Sequence, residues 1–221
     1  MSASDSFSVL LFRSTKLRHM YSALAIEWIT KRHEDNPEVA IAYWYFTFSD
    51  TTKQNTSEMY RSLIRQLLSC RPDTPKAVKT LRRYQEAGQD PDIARLEDTL
   101  AATSQGFSNV YIIIDALDEC PVGNNQRESL LRSLSCLLEK SSASIHMLWT
   151  SRSEPDIEIA FNGLTHPHTR TNFDLASRQR AVNWGIARYI DNTLAIAPCD
   201  KWSENIKEEV REALVEKADG M

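Results

Sequence analysis

In YIIIDALDEC, residues 111–120, Asp115 closes an apolar run, and Asp118 and Glu119 follow three and four positions later. Carboxylates held this close repel one another unless a cation, a proton or a basic group offsets their charge. At the carboxyl end of a buried strand the pattern suits magnesium, a hard cation that takes oxygen ligands and keeps several waters. A single carboxylate can then hold it beside substrate phosphates. Asp115 is the expected metal ligand. An acid just beyond the strand would orient or deprotonate an attacking water; Glu119 is the first choice for that work and Asp118 the second. The competing reading is that these acids only end a strand and meet solvent. MLWTSRSEPDIE, residues 147–158, sets Thr150, Ser151 and Arg152 at the end of another apolar stretch, where a guanidinium would sense a terminal phosphate. The plainer role for Arg152 is a salt bridge to Glu154 or Asp156.

Magnesium that carries a nucleotide calls for a phosphate cradle. The motif G-x-x-x-x-G-K-[ST] uses glycines so that backbone N–H groups close around the phosphates, and a lysine to balance their charge. The first glycine in this chain is Gly88. Between the apolar SVLLF and the helical pattern that begins near Leu17 stand only Arg13, Ser14, Thr15 and Lys16, so the cradle reads as deleted rather than altered. Lys16, with Ser14 or Thr15, is the partial substitute, because a helix N-terminus attracts anions without any glycine. A short connecting turn with solvated basic side chains is the alternative, and an incomplete gene product another.

These groups need elements to position them. Ser8–Phe12 reads as a strand, and Leu17, Met20, Tyr21, Leu24 and Trp28 recur at helical spacing. Val39–Phe48 is apolar on both alternating faces, as in a strand covered by helices on each side. Asn55 followed by Glu58 resembles a capping box, predicting a helix to about Ser69 with Met59, Leu63, Ile64 and Leu67 inward. AVKTLRRYQEA and DIARLEDTLAAT are amphipathic candidates separated by Gly88 and Pro91. Asn109–Asp115 is a strand, Arg127–Glu139 a helix, Ser144–Thr150 a strand, and Arg170–Leu175 an edge strand. Ala176–Asn192 and Ser203–Ala218 are helical. The β–α–β alternation predicts a mostly parallel sheet with ligands bound beyond the carboxyl ends of its strands.

The 221 residues, 42% hydrophobic, suffice for a core of ordinary size, and a net charge of −4 from interspersed acids and bases points away from nucleic acid. Cys70, Cys120, Cys136 and Cys199 form no C-x-x-C pair, which speaks against zinc and against a disulfide framework. Cys120 is expected to be a packed thiol, His166 and His168 to sit in a solvated loop, and the five tryptophans to serve packing. With no membrane-length apolar run and no ordinary secretory signal, a cytoplasmic location is expected.

Taken in order, VAIAYWYFTFSDTTKQNTSEMYRSLIRQLL, VYIIIDALDEC, WTSRSEPDIE and ALVEKADGM resemble the NACHT-type NTPase domain of fungal NOD-like receptors, the nephrocystin-3-like N-terminal group. The resemblance runs from about Leu17 to Met221. It implies a P-loop-NTPase-like α/β sheet flanked by helices over 1–175, and the beginning of a helical subdomain over 176–221. It also implies Mg2+ with ATP or GTP, and assembly with like or unlike signalling domains. By the family pattern Asp115 is the Walker B magnesium residue, Asp118 and Glu119 the extended acidic pair, and Arg152 the sensor. The resulting expectation is a nucleotide-binding signalling and oligomerisation domain, impaired in hydrolysis by the lost cradle. The alternative is a degenerate, non-catalytic interaction module or gene fragment that retains the fold.

Overall fold

The computed structural model describes residues 8–12, 18–71, 76–140, 144–164, 170–174, 179–196 and 198–219. The chain separates into two compact units, residues 1–173 and 174–221.

The first unit is built on strands β1 (Ser8–Phe12), β2 (Val39–Tyr45), β3 (Asn109–Asp115), β4 (Ser144–Ser151) and β5 (Arg170–Asp174), in the spatial order β2-β3-β4-β1-β5. The pairs β2/β3, β3/β4 and β1/β4 are all parallel. Parallel neighbours need crossovers, and the helices supply them: α1 (Arg18–Arg32), α2 (Thr56–Ser69), α3 (Lys76–Glu86), α4 (Ile93–Ser104), α5 (Gln126–Lys140) and α6 (Pro155–Asn162). This is the α/β architecture expected from the alternation of patterns, and the P-loop-like fold that the family resemblance implies, with β5 at the edge.

Strand register divides the side chains between two faces. Val110, Ile112 and Ile114 of β3 point to one face with Ile145, Met147 and Trp149 of β4, and all six are buried. Helices α2, α4, α5 and α6 pack with one another over this side, where Met59, Leu63, Leu67, Leu96, Leu100, Leu134 and Phe161 complete the core. Each such side chain contributes about 1.5–3 kcal/mol by leaving water. On the other face Tyr111, Ile113 and Asp115 align with His146 and Leu148, and α1 is the helix that packs there.

Local chemistry sets the helix ends. The Asn55 side chain accepts from the N–H groups of Ser57 and Glu58 at 2.8 and 3.3 Å, which starts α2. Only that half of the capping box is made, because Glu58 turns to Arg61 and the Asn55 N–H goes to the Thr52 carbonyl. Asp92 caps α4 through the Arg95 N–H at 2.8 Å. Strand β2 stops at Tyr45, three residues short of the expected Phe48. The Phe46 N–H still donates to the Asp115 carbonyl at 3.0 Å, and beyond it the Phe48 N–H turns to the Glu119 side chain at 2.9 Å. Helix α6 was not expected, since eight residues hold too few turns to show a period, although Pro155 stands at its first turn.

In the second unit α7 (Gln179–Leu194) and α8 (Glu204–Asp219) pack against each other, linked by a 3₁₀ turn at Cys199–Lys201. Arg211 of α8 donates to Asp191 of α7 at 2.8 Å, and Ile190 and Leu194 are buried.

Candidate functional site

Strands β3 and β4 end side by side, so the acids after the first and the arginine after the second meet at one rim. Asp115 is fully buried at the end of β3. One carboxylate oxygen accepts from the Thr150 hydroxyl of β4 at 2.5 Å and from the Ser22 hydroxyl of α1. The Thr150 hydroxyl in turn accepts from the Ala116 N–H at 3.0 Å. Ala116 holds a left-handed conformation, φ 59° and ψ 45°, which turns the chain sharply out of the strand. That turn leads into a 3₁₀ segment, Leu117–Glu119, closed by the Glu119 N–H on the Ala116 carbonyl at 2.8 Å.

The turn sends the next two carboxylates in different directions. Asp118 is buried and receives both the side chain and the backbone of Arg152, with Nε to Oδ2 at 3.0 Å and N–H to Oδ1 at 3.2 Å. Glu119 is buried and accepts from the Phe48 N–H at 2.9 Å, beyond the end of β2. The three acids, expected to divide between a metal at Asp115 and a water at Glu119 or Asp118, accept from hydroxyls, a guanidinium and a backbone amide respectively, in the order Asp115, Asp118, Glu119. The negative charge of Asp115, behind burial itself, helps hold the Tyr45 hydroxyl above its ordinary pKa.

Arg152 does not make the salt bridge to Glu154 or Asp156 that was its plainer reading. Those acids belong to Arg127 at the start of α5, which reaches Asp156 with two nitrogens at 2.7 and 3.1 Å and Glu154 at 3.9 Å. Arg127 also donates to the Asp118 carbonyl at 3.0 Å, tying α5, α6 and the acidic turn together. Sequence reasoning missed Arg127, because nothing in its spacing marks it apart from other helix-start arginines. It also missed Ser22, whose only signal was a small hydroxyl on the apolar face of α1. Lys16, Ser14, Thr15, His166 and His168 lie outside the described residues.

An all-oxygen set at Asp115, one carboxylate beside two hydroxyls, is the donor chemistry that a hard cation such as magnesium prefers. Among the described residues no group of three or more His, Cys, Asp and Glu side chains forms a metal cage. A single-carboxylate site suits magnesium, which retains its waters, better than zinc or calcium. Cys120 is buried, and burial pushes its thiol up to about 11, so it is no nucleophile at neutral pH. No described helix is long and apolar enough to cross a membrane.

The family described as Nephrocystin 3, N-terminal, matches residues 19–152, which takes in α1, the acidic turn and Arg152. The vegetative incompatibility protein HET-E-1 of Podospora anserina is 26% identical over 200 residues. That alignment covers 87% of this chain and 14% of HET-E-1, so the chain spans about one seventh of that relative. A crystal structure of the DUF1998 helicase MrfA aligns with 99% of this chain and 33% of its own, at 12% identity and a TM-score of 0.28, a likeness too slight to carry an argument.

Proposed function

Because the chain belongs to the Nephrocystin 3, N-terminal, family, we propose that it acts as a NACHT-type signalling and oligomerisation module that binds a magnesium nucleotide weakly at the β3/β4 rim. The observation that carries this reading is the meeting of Ser22, Asp115 and Thr150. In P-loop proteins magnesium is held by the hydroxyl that ends the phosphate loop and by an acid at a strand end. Ser22 and Asp115 supply that pair. Bound there, magnesium would neutralise charge on phosphate oxygens; the chain's own residues do the rest.

Asp115 and Ser22 would hold the cation, with Thr150 fixing the carboxylate from the β4 side. Arg152, half exposed and paired with Asp118, would meet a terminal phosphate. Glu119, which accepts from the Phe48 N–H, would orient water, while Asp118 would keep the guanidinium in place.

Ser22 also supplies a frame for the missing cradle. If it occupies the last position of G-x-x-x-x-G-K-[ST], the glycines fall on Thr15 and Met20 and the lysine on Tyr21. A half-buried phenol brings no positive charge, and the sequence has methionine at 20 where the motif has a glycine. We therefore expect low affinity and impaired hydrolysis. The same substitutions favour a second reading, an interaction module that keeps the fold without nucleotide.

Thermal unfolding with magnesium and ATP or GTP separates the two. A ligand at ten times its Kd stabilises by about 1.4 kcal/mol, a shift of a few degrees in a domain this size. The nucleotide reading requires such a shift at millimolar nucleotide, dependent on magnesium and lost in Ser22→Ala. No shift with either nucleotide would leave the second reading.

A further inference from the structure

A groove of about 680 Å³ lies between α2, α3 and the start of α4, and none of its lining residues belongs to the strand-end site. Its floor and walls are aliphatic: Ile64 and Leu96 are buried at the bottom, and Leu68, Val78 and Leu81 line the sides half-buried. Its rim is cationic. Arg65, Lys79 and Arg82 are exposed on it and have no acidic partner among the described residues, whereas Arg61 is paired with Asp90 at 2.9 Å. Helices α2 and α3 together carry six basic residues against two acids, although the whole chain has a formal charge of −4.

We propose that this groove is a docking surface for an acidic amphipathic helix of a partner protein. The apolar walls call for side chains at i, i+3, i+4 and i+7 of a helix laid along the cleft. The unpaired cations call for carboxylates flanking that apolar stripe, since opposite potentials steer encounter and set register. A nucleic acid would meet the cations but leave the aliphatic walls uncovered, so the helix matches both features and the phosphate backbone only one. This surface is independent of the nucleotide reading.

The test uses the full chain and a fluorescein-labelled synthetic 18-residue helix with leucines on one face and glutamates flanking it. Anisotropy titrations should show saturable binding at micromolar concentration that weakens as salt rises. Binding should fall at least tenfold in Arg65→Glu/Lys79→Glu/Arg82→Glu. These three positions are exposed, so circular dichroism should show an unchanged fold. Val78→Asp should weaken binding with every rim charge intact, and a control peptide with the same glutamates but no apolar face should not bind. Equal binding by wild type and the triple variant, equal binding of the control peptide, or no binding below 1 mM would each overturn the proposal. So would tighter binding of a single-stranded RNA of similar charge, or salt-sensitive self-association that the triple variant abolishes, which would assign the groove to a second copy.

Discussion

At the scale of single residues, two arginines near the acidic turn have opposite duties. Arg127 is 7% exposed and satisfies Asp156 and the Asp118 carbonyl, so its loss takes a charged donor from the half-exposed Asp156 and from a carbonyl of the buried turn. Arg152 is 47% exposed, and water can replace it on Asp118. We expect Arg127→Met to cost about 2–3 kcal/mol in urea unfolding and Arg152→Ala less than about 1 kcal/mol. Similar losses at both would show that Arg152, too, is structural and remove it from the candidate phosphate sensors. The sequence marked Arg152, Asp115, Asp118 and Glu119 because each lies just past an apolar run. It could not show that each acid has its own donor, since Phe48 follows β2 in the chain, Thr150 lies in β4 and Ser22 in α1.

At the scale of elements, patterns long enough to repeat were legible. Strand β3 and helix α2 stand where their period and caps placed them, while β2 ends at Tyr45, past which the Phe48 N–H goes to the Glu119 side chain instead of a strand carbonyl. The α2 cap is open to a simple check. Asn55→Ala removes the acceptor for two amides and should cost about 1 kcal/mol. Glu58→Ala should cost only a few tenths, because Glu58 does not close the box; an equal loss would mean the reciprocal bond forms in solution. At the end of β3, Ala116→Val should destabilise by at least about 1–2 kcal/mol, since a β-branched residue resists the left-handed conformation more than alanine does. Thermal melts that leave Ala116→Val unchanged would refute the strained turn.

At the scale of the whole first unit, the sheet buries its two faces unequally, and the α1 side holds a titratable group. His146 of β4 stacks on Tyr111, which stacks in turn on His33 of α1; its Nε2 is bonded to Asn109 Oδ1 at 2.9 Å, and Arg32 of α1 lines the same cavity. Burial lowers its pKa from 6.5 to about 4. The unfolded chain therefore binds the proton first, and stability is complete above about pH 6.5 and lost as pH falls toward 4. The loss from this one group reaches about 3 kcal/mol at the low end. Melts of His146→Gln should lack that part of the acid slope, whereas an unchanged slope would place the titration in other groups.

The sequence by itself determined the alternation of strands and helices, the parallel sheet it entails and the acidic turn after β3, because hydrophobic period and strand-end polarity are local properties of the chain. Only the tertiary structure decided the strand order, which brings β4 against β3 and so sets Arg152 on Asp118 and Thr150 on Asp115. It also decided that Ser22 of α1 reaches the same carboxylate across 93 positions of sequence. Hydrogen bonds between elements depend on how helices pack across a sheet, and no local spacing carries that distance.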